Sequence, residues 1–278
     1  MKITKDQLKC WKACQDGYGW FLRRFPDGEA EYQDVLNALV EDDRPADADW
    51  LMDHAGPDCD AVLEVDGIAD CKNFFAAGRL VIKTRATFTG WLRAGLGIEA
   101  CEGIEAGGGI KAGDGIKAGC GIKAGLGIEA GEGIEAGKGI EAGEGIEAGE
   151  GIKAGDGIKA GCGIEAVLGI EAGLGIKAGW GIEAGLGIEA GWGIEAGLGI
   201  EAGWGIEAGL GIKAGLGIEA GLGIEAGWGI EAGLGIKAGD GFGVFAGLGL
   251  QLADWPIKAR VIANVRPDNL VSGSWANQ

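Results

Sequence analysis

Carboxylates dominate the side chains able to do chemistry in this chain: 42 Asp and Glu stand against 24 Lys and Arg, with seven cysteines and one histidine beside them. Proton transfer at neutral pH needs titratable groups whose environments push their pKa values apart. Nucleophilic catalysis needs a nucleophile, a base and an orienting group in mutual reach. His54, the only imidazole, is most simply a structural residue on a helix, and the glutamates recur at so regular an interval that they read as a solvated face rather than a perturbed pair. Cys10, Cys14, His54 and Cys59 could be gathered around a zinc ion, yet their spacing matches no standard finger. Thiols buried in a helical module are the simpler expectation. No enzyme is expected, no cofactor is implied, and no catalytic, cofactor-binding or metal-binding residue is nominated.

The residues with the most telling placement are apolar. Leu174, Trp180, Leu186, Trp192, Leu198, Trp204, Leu210, Leu216, Leu222, Trp228 and Leu234 follow one another at intervals of six. They occupy the variable place x of a repeat, Gly-Ile-Glu/Lys-Ala-Gly-x, whose isoleucine returns at every sixth position from Ile98 to Ile236 in 24 copies. From Glu102 to Cys162 that place holds mostly charged or small residues, which must face solvent because unpaired buried charges are prohibitive. From Leu168 to Leu234 it is Leu or Trp in twelve copies of twelve. With unchanged geometry these form an exposed ridge of the kind a monomer rarely leaves uncovered. The expected partner is a second copy meeting it about a two-fold axis, with another protein partner as a further possibility. The competing expectation is that x turns inward and fills a wider core.

The element that positions these residues follows from the spacing. Ile and Ala are two apart, so on an extended strand they share one side while the charge between them takes the other. A helix would require spacings of three and four, and two glycines per six residues would cost it about 1 kcal/mol each. The chain is therefore expected to be mainly β: a single-stranded β-solenoid in which Ile-Glu/Lys-Ala is the straight side and glycine flanks each corner.

The number of sides is read from the tryptophans. Trp180, Trp192, Trp204 and Trp228 are separated only by multiples of twelve. The expectation is a two-sided roll of twelve residues per coil, with indoles along one edge and leucines along the other, roughly 58 Å long at ~4.8 Å per coil. A triangular left-handed β-helix of eighteen residues per coil is the alternative. Outward charges do not decide, since opposite-sign neighbours number 13 of 22 for the first and 12 of 21 for the second.

Four stretches follow. Residues 1–56 read as a small helical cap with a core of Leu8, Trp11, Trp20, Phe21, Phe25, Val35, Leu36, Leu39, Val40, Trp50 and Leu51, its segments separated by Gly17, Gly19, Pro26 and Pro45. Residues 57–91 are irregular first coils, because Leu80, Ile82, Ala86 and Phe88 already share the phase of Ile98. Residues 92–250 are the regular array, and 251–278 supply one or two closing strands.

Net charge of −18 disfavours direct binding to nucleic acid or anionic membrane. No apolar run is long enough to span a bilayer, and the opening residues MKITKDQLKCWKACQDG lack the pattern of a secretory signal. Seven irregularly spaced cysteines fit a reducing cytoplasm.

In the frame Leu174 to Gly179, Leu-Gly-Ile-Lys-Ala-Gly, the array resembles the hexapeptide repeat of left-handed β-helices, although Glu132, Lys138, Glu144 and Glu150 break its aliphatic place. The catalytic histidine of acyltransferases on that fold has no counterpart in the array, so acyl transfer is not implied. The stretch DGIADCKNFFAAGRLVIK, leading into Gly-Ile-Glu-Ala steps, is similar to bactofilins, polymer-forming bacterial cytoskeletal proteins. That resemblance implies a self-associating scaffold without nucleotide. A second function stays open: an acidic inhibitor or antitoxin that mimics DNA, as acidic pentapeptide-repeat proteins do.

Overall fold

An apolar residue, a charge and an alanine between glycines suffice to make a strand of three residues. The computed structural model describes residues 1–251 and 253–277; Leu252 and Gln278, both in the expected closing segment, lie outside the described residues. Each triplet from Ile98 to Ala232 is such a strand, Ile182–Ala184 for example. Ile182 and Ala184 are buried and Glu183 is exposed. Pairing is parallel and joins residues eighteen apart, Ile104 to Ile122 and Ile122 to Ile140. The coil therefore has three sides, and the described strands of the stack form three parallel sheets of 12, 10 and 12.

The two-sided roll is thereby corrected. The glycines of the corners from Gly95 to Gly239 are all free of positive φ, so these corners lack the left-handed residues with which a chain reverses sharply. Each turns the chain only part of the way, and three bends close the coil. Three isoleucines and three alanines per coil then meet at the axis, each isoleucine contributing roughly 1.5–3 kcal/mol of burial.

Glycine serves close approach instead. A Cβ on Gly161 would stand 2.0 Å from the carbonyl oxygen of Gly143, the same corner one coil earlier. On Gly163, before the isoleucine, the nearest atom is the Gly181 oxygen at 3.6 Å. The corners keep the ladder going, the Trp180 amide donating to the Cys162 oxygen at 3.1 Å. Val167 and Cys101 occupy the tight place with exposed side chains, so a single corner can yield to a side chain at a local cost.

The N-terminal part comprises β1 (Lys2–Thr4), α1 (Lys5–Cys10), α2 (Gln15–Arg24), β2 (Glu29–Glu31), α3 (Tyr32–Glu41) and α4 (Pro45–Ala55), with β1 and β2 antiparallel. Gly17 and Gly19 lie inside α2 rather than separating helices. Cys14 caps it through Sγ, Asp16 and Arg23 suit its two ends, and burial of Trp20 and Phe21 offsets the glycine penalty. Of the expected core, Leu8, Trp20, Phe21, Val35, Leu36, Leu39 and Leu51 are buried, while Trp11, Phe25, Val40 and Trp50 are only partly so. Ile3, Tyr32 and Met52 complete it.

Strands β3 (Val62–Val65), β4 (Ile68–Cys71) and β5 (Phe74–Ala76) open the first, second and third faces of the prism. Phe75 and Ala77 join the helical core. Gln33 on α3 receives the Ala77 amide at 2.9 Å on Oε1 and donates from Nε2 to the Phe75 oxygen at 2.8 Å. Its side-chain amide takes the place of a preceding strand on β5. Arg93, one coil on, reaches Asp49 and Asp53 of α4. The helices thus cap one end, as a solenoid with open strand edges requires.

At the other end the eighteen-residue step lengthens to twenty between Ile224 and Val244. A short α5 (Trp255–Lys258) follows. Among the described residues three strands rather than one or two end the stack: Arg260–Ile262 and Ser274–Ala276 on the second face, Leu270–Ser272 on the first.

Two outcomes test this account. Gly161→Ala lowers stability by about 1–3 kcal/mol, whereas Gly163→Ala changes it by less than about 1 kcal/mol; denaturant midpoints read the difference. Gln33→Ala, which strands one buried donor and one acceptor, costs about 1–3 kcal/mol in the same assay.

Candidate interaction surface

Because coils stack in register, every outward residue belongs to a column whose members lie one strand spacing apart, ~4.8 Å. On the second face the column runs Glu105, Lys123, Glu141, Lys159, Lys177, Glu195, Lys213, Glu231. Neighbours of opposite sign pair within it: Lys159 with Glu141 at 3.1 Å, Lys177 with Glu195 at 3.0 Å and Lys213 with Glu231 at 3.3 Å. On the third face six glutamates, Glu129, Glu147, Glu165, Glu183, Glu201 and Glu219, follow one another without a cation. Lys111 and Lys237 close that run, 2.8 Å from Glu129 and 2.5 Å from Glu219. The first face alternates as far as Lys153 and then presents Glu171, Glu189, Glu207 and Glu225. Hydrogen bonds that Lys153 and Lys237 donate to the Glu171 and Glu219 carboxylates raise the pKa of the two lysines. All of these groups are open to solvent, so the pairs mark geometry more than stability.

The Leu and Trp places lie at the corners. Leu168, Leu186, Trp204 and Leu222 precede the first face; Leu174, Trp192, Leu210 and Trp228 the second; Trp180, Leu198, Leu216 and Leu234 the third. The indoles therefore do not share one edge. A step of twelve is two thirds of an eighteen-residue coil, and each such step carries the chain to a different corner.

None of these residues is buried, which overturns the expectation of an inward turn. Trp180 is 61%, Trp192 58% and Trp204 57% exposed, more than half of each. Leu174, Leu186, Leu210 and Leu222 are half-buried, sheltered by neighbouring coils. The second half of the solenoid thus wears an apolar belt on all three corners. The same corners lower in the stack carry Glu102, Glu132, Lys138, Glu144, Glu150 and Asp156, all exposed. Between corner and charge column each face bears a shallow groove floored by glycine and isoleucine, of about 1230 Å³ on the second.

The residues with metal or acid–base potential stay apart. The His54 ring stacks on Trp50 at 4.2 Å and its Nδ1 lies 2.8 Å from the Trp50 oxygen. Cys10, Cys14 and Cys59 are free and exposed, not buried as expected. Among the described residues no group of three or more His, Cys, Asp or Glu is placed to hold a metal. No helix among them is long and apolar enough to cross a membrane.

Residues 1–55 match the family profile described as the YdhT N-terminal domain. No curated protein and no solved structure matches the chain. The profile covers the helices through α4 and leaves out the solenoid, whose surface is legible only from its own geometry.

The columns were counted only together in the sequence, though a signal was present in them one by one. At a spacing of eighteen, the second-face column changes sign at six of seven steps and the third-face column at two of seven. Like charges directly opposite destabilise a sheet. Glu183→Lys, which turns two repulsive contacts into attractive ones, raises the thermal midpoint; Lys123→Glu, which does the reverse, lowers it. Both shifts shrink in about 1 M salt if they arise from this screening-sensitive contact.

Proposed function

We propose that this protein is a non-enzymatic scaffold that self-associates through the Leu and Trp corners in the second half of its solenoid. The observation that carries the proposal is the belt itself: twelve corner places of twelve are Leu or Trp, and three of the indoles stand more than half exposed. Contiguous apolar surface of this kind marks an interaction site. A second copy is the partner that needs no further component, and a homodimer is the simplest closed assembly.

The resemblance to bactofilins supports self-association. The helical cap covers one end of the stack, which favours a finite particle over a filament growing end to end. The free thiols support a reducing, cytoplasmic setting.

Light scattering from the purified chain at micromolar concentration reads the assembly. The expected mass is that of two chains, falling to one when Trp192 and Trp204 are both replaced by Ser, with the far-ultraviolet circular dichroism unchanged. A single-chain mass for the unaltered protein at every concentration overturns the proposal.

A further inference from the structure

The three faces of the apolar half are not equivalent, and their charges choose among them. Along this part of the stack the first face presents Glu171, Glu189, Glu207 and Glu225. The third presents Glu183, Glu201 and Glu219 before Lys237. Only the second alternates throughout, as Lys177, Glu195, Lys213 and Glu231.

Two copies of a prism can meet face to face about a two-fold axis in two ways. With parallel solenoid axes each rung meets its own counterpart, like sign on like, whichever face is used. With antiparallel axes the rungs are reflected, and the outcome depends on the column. Place the two-fold axis between the rungs of Glu195 and Lys213. Glu195 then faces Lys213 of the second copy, and Lys177 faces Glu231 of the second copy. Every contact in the column joins opposite signs.

The same operation on the first face sets Glu189 against Glu207, and on the third Glu201 against Glu219. Both put carboxylates together at the axis, and on the third face only the outer Glu183 meets an opposite sign, Lys237, so both pairings are disfavoured.

The apolar corners agree with this register. Strand Ile194–Ala196 lies between the corner of Trp192 and that of Leu198. Across the same axis Trp192 meets Leu210 of the second copy, and Leu198 meets Leu216 of the second copy. One step further out, Leu174 comes opposite Trp228, and Trp180 opposite Leu234. A central column of ion pairs is thus flanked on both sides by apolar ridges that close over it. Four coils span about 19 Å at ~4.8 Å each, a short contact in which charge fixes the register and the ridges supply the burial.

We propose that the second face is the dimer contact, two copies packing antiparallel over the rungs of Lys177 to Glu231. The proposal rests on the self-association argued above and adds the face, the orientation and the register.

Charge reversal in the full chain, followed by sedimentation equilibrium, tests it. Lys213→Glu places a glutamate against Glu195 twice across the axis and weakens the dimer at least about tenfold. Glu195→Lys does the same with lysines. The double variant, Glu195→Lys with Lys213→Glu, exchanges the signs across the axis and restores dimerisation to within about threefold of the unaltered chain. That rescue does not come from within one chain, because each single variant and the double variant alike leave two like-sign steps in the column between Lys177 and Glu231. Lys117→Glu, on the first face outside the apolar half, leaves the dimer unchanged. A dimer that ignores Lys213→Glu, or that the double variant fails to rescue, overturns the choice of face while self-association stands. A monomeric unaltered chain removes both.

Discussion

Everything in the solenoid depends on how closely one coil can approach the next at its corners. The carbonyl oxygen of Gly143 occupies the volume that a side chain on Gly161 would need, and the relation recurs along the stack, Gly125 to Gly143 and Gly161 to Gly179. Glycine there carries an entropic cost of roughly 0.5–1 kcal/mol relative to alanine. The return is a backbone ladder that continues around the bend, with corner amides as well as strand amides finding a carbonyl one coil away. Once the corners stack, the inward residues can only be those that tile a narrow triangular axis, and Ile with Ala meets that demand in every coil.

Exact stacking also removes choice from the interior and concentrates it outside. A residue that points outward is joined by its counterparts above and below, so a substitution alters a column rather than a point. The same strand geometry yields an alternating column on the second face and an unbroken run of glutamates on the third. Neither is imposed by the fold. The alternating column neutralises itself, whereas the glutamate run carries mutual repulsion that the fold tolerates because the carboxylates remain in water.

This explains what could be read in advance and what could not. Strand identity, the inward Ile and Ala, and the outward charge followed from a spacing of two, a local property. The coil length did not, because pairing between coils is non-local. Twelve and eighteen are both multiples of six, so tryptophans spaced by twelve fitted either. Summing charge pairs over all columns pooled one strongly alternating face with one that alternates only in its lower half and one that alternates little. Keeping the columns separate would have exposed the alternation at eighteen. At the N-terminus, Gly17 and Gly19 looked like helix breakers because propensity was weighed without the Cys14 cap or the burial of Trp20 and Phe21. Gln33 gave no signal at all, since nothing in a sequence marks a side-chain amide that will complete the edge of a strand forty residues away.

The two halves of the solenoid share one core and differ at their corners. Glu132, Lys138, Glu144 and Glu150 keep the lower corners wetted, while the corners from Leu168 upward are apolar. A core that repeats without variation carries no instruction about partners; it supplies an in-register stack. Information resides in the places that stacking leaves free, corner and strand centre, and those two vary independently. Where apolar corners coincide with an alternating column, burial and charge register reinforce one another. On the first and third faces the corners are equally apolar but the columns are runs of glutamate, so in the proposed dimer the carboxylates would act as a filter on which apolar surface can be used. Removing those glutamates would not strengthen the favoured contact; it would open competing ones, and a closed pair would give way to branched association.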